Sequence, residues 1–219
     1  MNTTVIDFLE LLKVNNNREW FQANKKMYDT AKLEMEAFVD NLIPQIAAFE
    51  PSVKYVTAKE CMFRIFRDVR FAKDKSPYKT NMGAWITKGG RKSPGPGYYL
   101  HIQPGESMLA GGVYMPEPDQ LKKIRQEIYY NADEFKAILG NSSSKKYFDS
   151  LSDWDKQKLA PRDFPKDFPD IDLLKYRHYT VAYMLSDKQL VSKDFAKLVV
   201  KVFSLMQPLN AFLERALNG

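Results

Sequence analysis

Eight of the ten glycines fall between Gly83 and Gly112. A glycine inside a helix costs about 1 kcal/mol relative to alanine, so this stretch cannot be built from helices. It reads as strands and turns. Residues 84–87, 98–103 and 108–115 are the strands, with a turn through Pro104 and Gly105 joining the last two. A fourth strand covers 179–185. On both sides the apolar spacing lengthens to three and four, the signature of helices with one buried stripe. The class is therefore α+β: a mostly antiparallel central sheet flanked by N-terminal, middle and C-terminal helices. A chain of 219 residues suits one domain. It divides into a helical part (1–50), sheet and glycine-rich loops (51–116), a second helical part (117–178), and a strand plus long helix (179–219).

Local signals refine this. Thr4 with Asp7 resembles a capping box opening a short helix that runs to Val14. Asn15, Asn16 and Asn17 form a turn, with Asn17 as the next N-cap. The stripe Trp20, Ala23, Met27, Ala31, Met35, Phe38, Leu42, Ile46 predicts a long helix that Pro44 ends or kinks. Residues 52–56 read as a short strand. From Cys61 to Phe71 the residues alternate, so that if the chain stays extended one face is apolar except for Arg67. Pro118 suits the first turn of a helix striped by Leu121, Ile124 and Ile128, and Gly140 stops its continuation. Residues 141–159 read as weakly helical. Phe164 and Phe168, set among Pro161, Pro165 and Pro169, read as anchors of an extended strap. Ser186 with Gln189, and then Ser192, open helices, the last amphipathic from Phe195 to Leu217 and interrupted by Pro208.

Several function classes fall away. One cysteine allows no intrachain disulfide or multi-cysteine metal cluster. With two histidines no metal site is expected. No GxGxxG, P-loop, GxSxG or HExxH is present, so no cofactor is expected. No stretch reaches the ~18 uncharged apolar residues of a membrane span. Asp7 and Glu10 stand where a secretion signal carries positive charge. The expectation is a cytoplasmic protein with a reduced Cys61 and no membrane contact.

The charge is uneven. Ten basic and three acidic residues lie between Lys59 and Lys92, a net of +7 against +6 for the whole chain. The densest part runs from Arg64 through Arg67, Asp68, Arg70 and Lys75 to Tyr78 and Lys79. Guanidinium forks match carboxylate and phosphate oxygens, so Arg64, Arg67, Arg70, Lys75 and Lys79 are candidate anion ligands. Arg91 and Lys92 join them from the glycine-rich loop 89–97, whose backbone N–H groups could also cradle phosphate. Asp68, Tyr78 and His101 are the candidate catalytic groups: a base or orienting carboxylate, a hydroxyl donor, and a side chain that titrates near neutral pH. Arg64 and Arg70 would stand about 20 Å apart on a straight strand. Sharing one anion requires a bend after Phe66, and a bend is expected, because Pro77 and the polar run from Lys73 to Ser76 end regular structure nearby. It would bring them to Lys75 and Tyr78, with His101 arriving from a neighbouring strand. The competing arrangement is an internal salt-bridge network of Arg67 and Arg70 with Asp68 and Asp74.

The pattern Arg64-x-x-Arg67-Asp68-x-Arg70-Phe71-x-x-Asp74-Lys75-x-x-Tyr78 resembles the signature of a bacterial family of unknown function, domain-of-unknown-function family 2461. The phrases Asn17 to Phe21, Gly89 to Gly95, Tyr98 to Ile102 and Gly111 to Pro116 resemble the same family. The resemblance runs from about residue 5 to the C-terminus and implies no reaction. Three readings stay open. The first is a basic pocket for a phosphate-like or carboxylate small molecule, phosphorylated or nucleotide-like. The second is a module that contacts nucleic-acid phosphates without sequence preference. The third is a structural or interaction protein whose charges pair internally.

Overall fold

The computed structural model describes residues 3–219; Met1 and Asn2, the first residues of the stretch tested above for a leader, lie outside them. Three helices open the chain: α1 (Thr4–Val14), α2 (Arg18–Ala23) and α3 (Lys25–Ala47). After a 3-10 turn at Pro51–Val53 comes the single-turn α4 (Ala58–Cys61), then β1 (Met82–Ile86), β2 (Gly97–Ile102) and β3 (Met108–Val113). Helices α5 (Pro118–Tyr130) and α6 (Ala132–Leu139) follow, and a 3-10 turn at Ile171–Lys175 leads to β4 (Tyr179–Met184). The short α7 (Asp187–Leu190) and the long α8 (Phe195–Asn218) close the chain. The four strands form an antiparallel sheet in the order β1-β2-β3-β4. This is the expected α+β arrangement.

Register sorts the sheet into two faces. Ile86, Tyr98, Gly111 and Val181 line up across it, as do Ala84, Leu100, Leu109 and Tyr183. This row faces the core, where α8 crosses the sheet and Gly111 gives room to Met206. The other face carries Trp85, Tyr99, Ala110 and Ala182, then Gly83, His101, Met108 and Met184. By length and composition α8 could cross a membrane. Here it buries ten side chains, from Phe195 to Ala216, in the core.

Several local expectations need correction. No side chain caps α1, which starts with Thr3 rather than Thr4 as its N-cap. The stripe from Trp20 is split at Asn24 into α2 and α3, while Asn17 does cap α2, its Oδ1 accepting from the Trp20 N–H at 2.9 Å. Neither Pro44 nor Pro208 stops its helix. Both prolines face solvent, and buried residues on either side (Ile43 and Ile46, Met206 and Leu209) hold the helix through the missing hydrogen bond. The predicted strand at 52–56 is instead a 3-10 turn begun by Pro51. Residues 141–159 form turns, because Asn141 uses its carbonyl and side chain to bind Ser144 and Ser143 rather than continue a helix. The strap is anchored as expected: Phe164 and Phe168 both pack on the Tyr129 ring.

A cationic groove beside a folded-back arginine loop

Between Cys61 and Phe71 the chain bends, as expected, and does so as a short hairpin. The segment is not one strand. Met62 bridges Ala84 on the edge of β1, and Phe66 bridges Tyr78. The Arg67 N–H donates to the Pro77 carbonyl at 3.0 Å and the Lys79 N–H to the Ile65 carbonyl at 2.8 Å. The chain therefore runs out along 65–67, reverses through 68–76 and returns along 77–79. Alternation fails at both ends: Phe63 is 40% exposed and Phe71 95%.

This reversal separates residues that the sequence brings close. Arg67 is held inside the hairpin by Asp74 and by the Ser76 hydroxyl at 2.8 Å, and its side chain is 28% exposed. Ser76 and Arg67 together hold the Asp74 carboxyl far below the usual range. Arg70 forks onto Asp68, Nε to Oδ1 at 2.9 Å and Nη2 to Oδ2 at 2.6 Å. That pairing lowers the Asp68 pKa and raises that of Arg70. Lys75 donates to the Val69 carbonyl at 3.0 Å, closing the loop. The expected bend exists, yet its cations are spent within the loop.

Tyr78 goes elsewhere. It is 2% exposed and stacks on Phe21, centroids 3.9 Å apart. Asn16 clamps its backbone from both sides, Nδ2 donating to the Tyr78 carbonyl at 3.0 Å and Oδ1 accepting its N–H at 3.1 Å. Its ring is a core group, not one presented to an anion. His101 sits on the other sheet face, between Tyr99 (Oη to Nδ1, 3.0 Å) and Gln103 (Nε2 to Oε1, 3.2 Å). Gln103 in turn donates to Glu106, so its oxygen faces His101. The ring is thereby set as the Nε2–H tautomer with a donor on Nδ1. Burial, partly opposed by Gln103, pushes its pKa below the ordinary value.

Arg64 alone of the three arginines stays outside the network. It makes no hydrogen bond or ion pair among the described residues, and it lines a groove of about 280 Å³. The groove lies between α3, α4 and the segment 62–66. It also receives Lys32, Lys59, Arg91 and one carboxylate, Glu36. Lys32 stands 3.5 Å from Glu36. Arg91 reaches it from the glycine-rich loop, Nη1 donating to the Lys59 and Glu60 carbonyls at 2.8 and 2.9 Å. Gly90, at φ +79°, lets that loop lie against Glu60, whose backbone would meet a Cβ at 3.0 Å. The loop is thus tied to α4 at its root, although the sequence alone suggests little packing. Lys79 stands by the groove, its ammonium 5.4 Å from the Phe63 ring centre, its pKa lowered by burial and then by Arg64. Lys92 is exposed and unpaired among the described residues.

Of the ten candidates, Arg64 and Arg91 line this groove and Lys79 adjoins it. Lys32 was missed, and Lys59, though it opens the basic segment, was not singled out as a ligand. Their signal was weak: Lys32 is an ordinary charge on the outer face of α3 until α4 packs beside it. The long-range device is Asp40 of α3, whose carboxylate accepts the Ala58 N–H at 2.8 Å and seats the start of α4.

A family model described as "Conserved hypothetical protein (DUF2461)" matches residues 4–212. The chain belongs to the DUF2461 family. The match spans the whole fold, from α1 into α8, and so includes the folded-back loop and the groove. No curated protein and no solved structure matches the chain. For this DUF2461 member the site must therefore be argued from its own side chains.

Proposed function

We propose that this DUF2461 protein binds a phosphate-like or carboxylate group of a small molecule in the groove at Arg64. The observation that carries the reading is an exposed guanidinium with no hydrogen bond or ion pair among the described residues, beside Lys59, Arg91 and Lys32 and facing one carboxylate. Arg64 and Lys59, cations without a carboxylate partner among the described residues, favour an external anion in a concave site. Arg64 supplies a planar fork, Lys59 a point charge, and Asn81 an amide in the lining. A hydrogen bond to a charged partner contributes about 1.5–3 kcal/mol. Calorimetric titration with phosphate and with a phosphomonoester should therefore show saturable binding that Arg64→Ala weakens about tenfold or more. Equal affinity in both proteins would overturn the assignment.

A second reading has its own support. Phe63, Phe66 and Phe71 are exposed and interleaved with Arg64, Arg67 and Arg70. Aromatic faces among cations suit stacked bases of a single strand. A short oligonucleotide bound more tightly than the phosphomonoester, with a steep salt dependence and a loss in Phe63→Ala, would favour it over the small anion.

A further inference from the structure

A second cavity, of about 100 Å³, lies where the start of β2 meets α8. Its chemistry is the reverse of the groove's. Asn210 and Glu214 are four residues apart and share one face of α8. Both line the cavity, as do Glu50 and the Tyr98 ring. The Asn210 Nδ2 donates to the Gly97 carbonyl at 3.0 Å. A carbonyl only accepts, so this bond fixes the amide and leaves Oδ1 as an acceptor. Oδ1 is buried and makes no hydrogen bond among the described residues. Tyr98 Oη is buried as well, interacting with Glu50 and with the Asn210 amide without a well-formed hydrogen bond. Both residues are at most 2% exposed. Glu50 accepts from the Ser52 hydroxyl at 2.6 Å and Glu214 from the Asn218 amide at 2.9 Å. Neither carboxylate has a cationic partner among the described residues, and Lys88 on the rim pairs with neither. Buried polar atoms are almost always satisfied. A buried amide oxygen without a donor and two carboxylates without a cationic partner among the described residues, around one small space, favour a donor-rich cation.

We infer that this cavity binds a primary ammonium group carried on a short alkyl stem. An ammonium offers three N–H donors and no acceptor. Glu50, Glu214 and Asn210 Oδ1 offer three acceptors, and Tyr98 Oη adds a lone pair at the wall. Val53, Ile86 and Pro96 give the stem an apolar lining. The volume of about 100 Å³ takes an ammonium head and part of a short stem, and a quaternary ammonium of similar size, having no N–H, cannot bond the acceptors. The site is independent of the groove at Arg64.

The test is an NMR titration of the full chain with butylammonium chloride at constant ionic strength, following the Gly97 and Tyr98 amides and the Asn210 side chain. Saturable shifts are expected, with affinity reduced about fivefold or more in Glu214→Gln and in Tyr98→Phe. Glu214 is exposed, so its variant keeps the fold. Absence of saturation, meaning that water alone fills the cavity, would overturn the inference. So would equal shifts with tetramethylammonium, unchanged binding in Glu214→Gln, or tighter occupancy by calcium than by the amine.

Discussion

The arginines at 64, 67 and 70 differ little in sequence and greatly in circumstance. Arg67 and Arg70 have carboxylates within their own loop, while Arg64 points into the groove without one. The Arg67–Asp74 pair is solvent-accessible through Asp74, which is 65% exposed against 28% for Arg67. Such pairs contribute little, so Arg67→Ala should lower the melting temperature by less than about 4 °C. The sequence pattern alone, a lone charge on an apolar strand face, implies a much larger loss. Tyr78 is the opposite case. Removing its ring from the Phe21 stack opens a core cavity, for which about 3–5 kcal/mol is typical. That corresponds to a fall of about 10 °C in Tyr78→Ala. Tyr78→Phe, which keeps the ring, should stay near the wild type in the same thermal scans. His101 sets a pH dependence. Its folded pKa lies below the unfolded value of about 6.5. The unfolded chain then binds more protons in that window, so stability is full above pH ~6.5 and declines as pH falls through the folded value. Denaturant midpoints measured from pH 7.5 to 5 should show this decline, and His101→Gln should flatten it.

At the level of elements, close backbone approaches decide what is tolerated. Gly112 lies at φ +118° where β3 meets β4, and a Cβ there would stand 1.9 Å from the Tyr179 carbonyl oxygen. Gly112→Ala should therefore destabilise the protein by more than about 3 kcal/mol. Gly105, at φ +77°, has nothing within 4 Å of such a Cβ. Gly105→Ala carries only the conformational strain, about 1–2 kcal/mol. Comparing the two by chemical denaturation separates backbone strain from collision. The sheet was readable from sequence because its strands alternate and its glycines cluster where turns and crossings need them. The strand ends fell within two residues of those observed. The bend expected after Phe66 is present, but which residues pair across it was not legible, because alternation arises in a straight strand and also in a hairpin of which only three residues on each arm pair. Nothing local distinguishes the two; the bridge from Phe66 to Tyr78 does. For a related reason Pro44 and Pro208 do not end their helices, since tertiary burial outweighs a missing hydrogen bond.

Across the whole molecule the charge excess between Lys59 and Lys92 divides into two unequal parts. One is consumed in the folded-back loop. The other, Lys59, Arg64 and Arg91, gathers around the groove with Lys32 from a helix far away in sequence. Composition located the first three residues but not their division. Pairing is decided by which way a loop reverses, and Lys32 arrives only because α4 docks on α3. A single small anion held by this few cations should lose roughly tenfold or less in affinity between 50 and 200 mM salt, whereas 6–10 phosphate contacts lose about 10³–10⁵. The most direct measurement of the central claim is a crystal structure grown with phosphate or tungstate, read for anion density at the groove. The account predicts an anion within hydrogen-bond distance of the Arg64 guanidinium and the Lys59 ammonium. An Arg64 found paired with Glu36 or Asp68, and no anion in the groove, would contradict it.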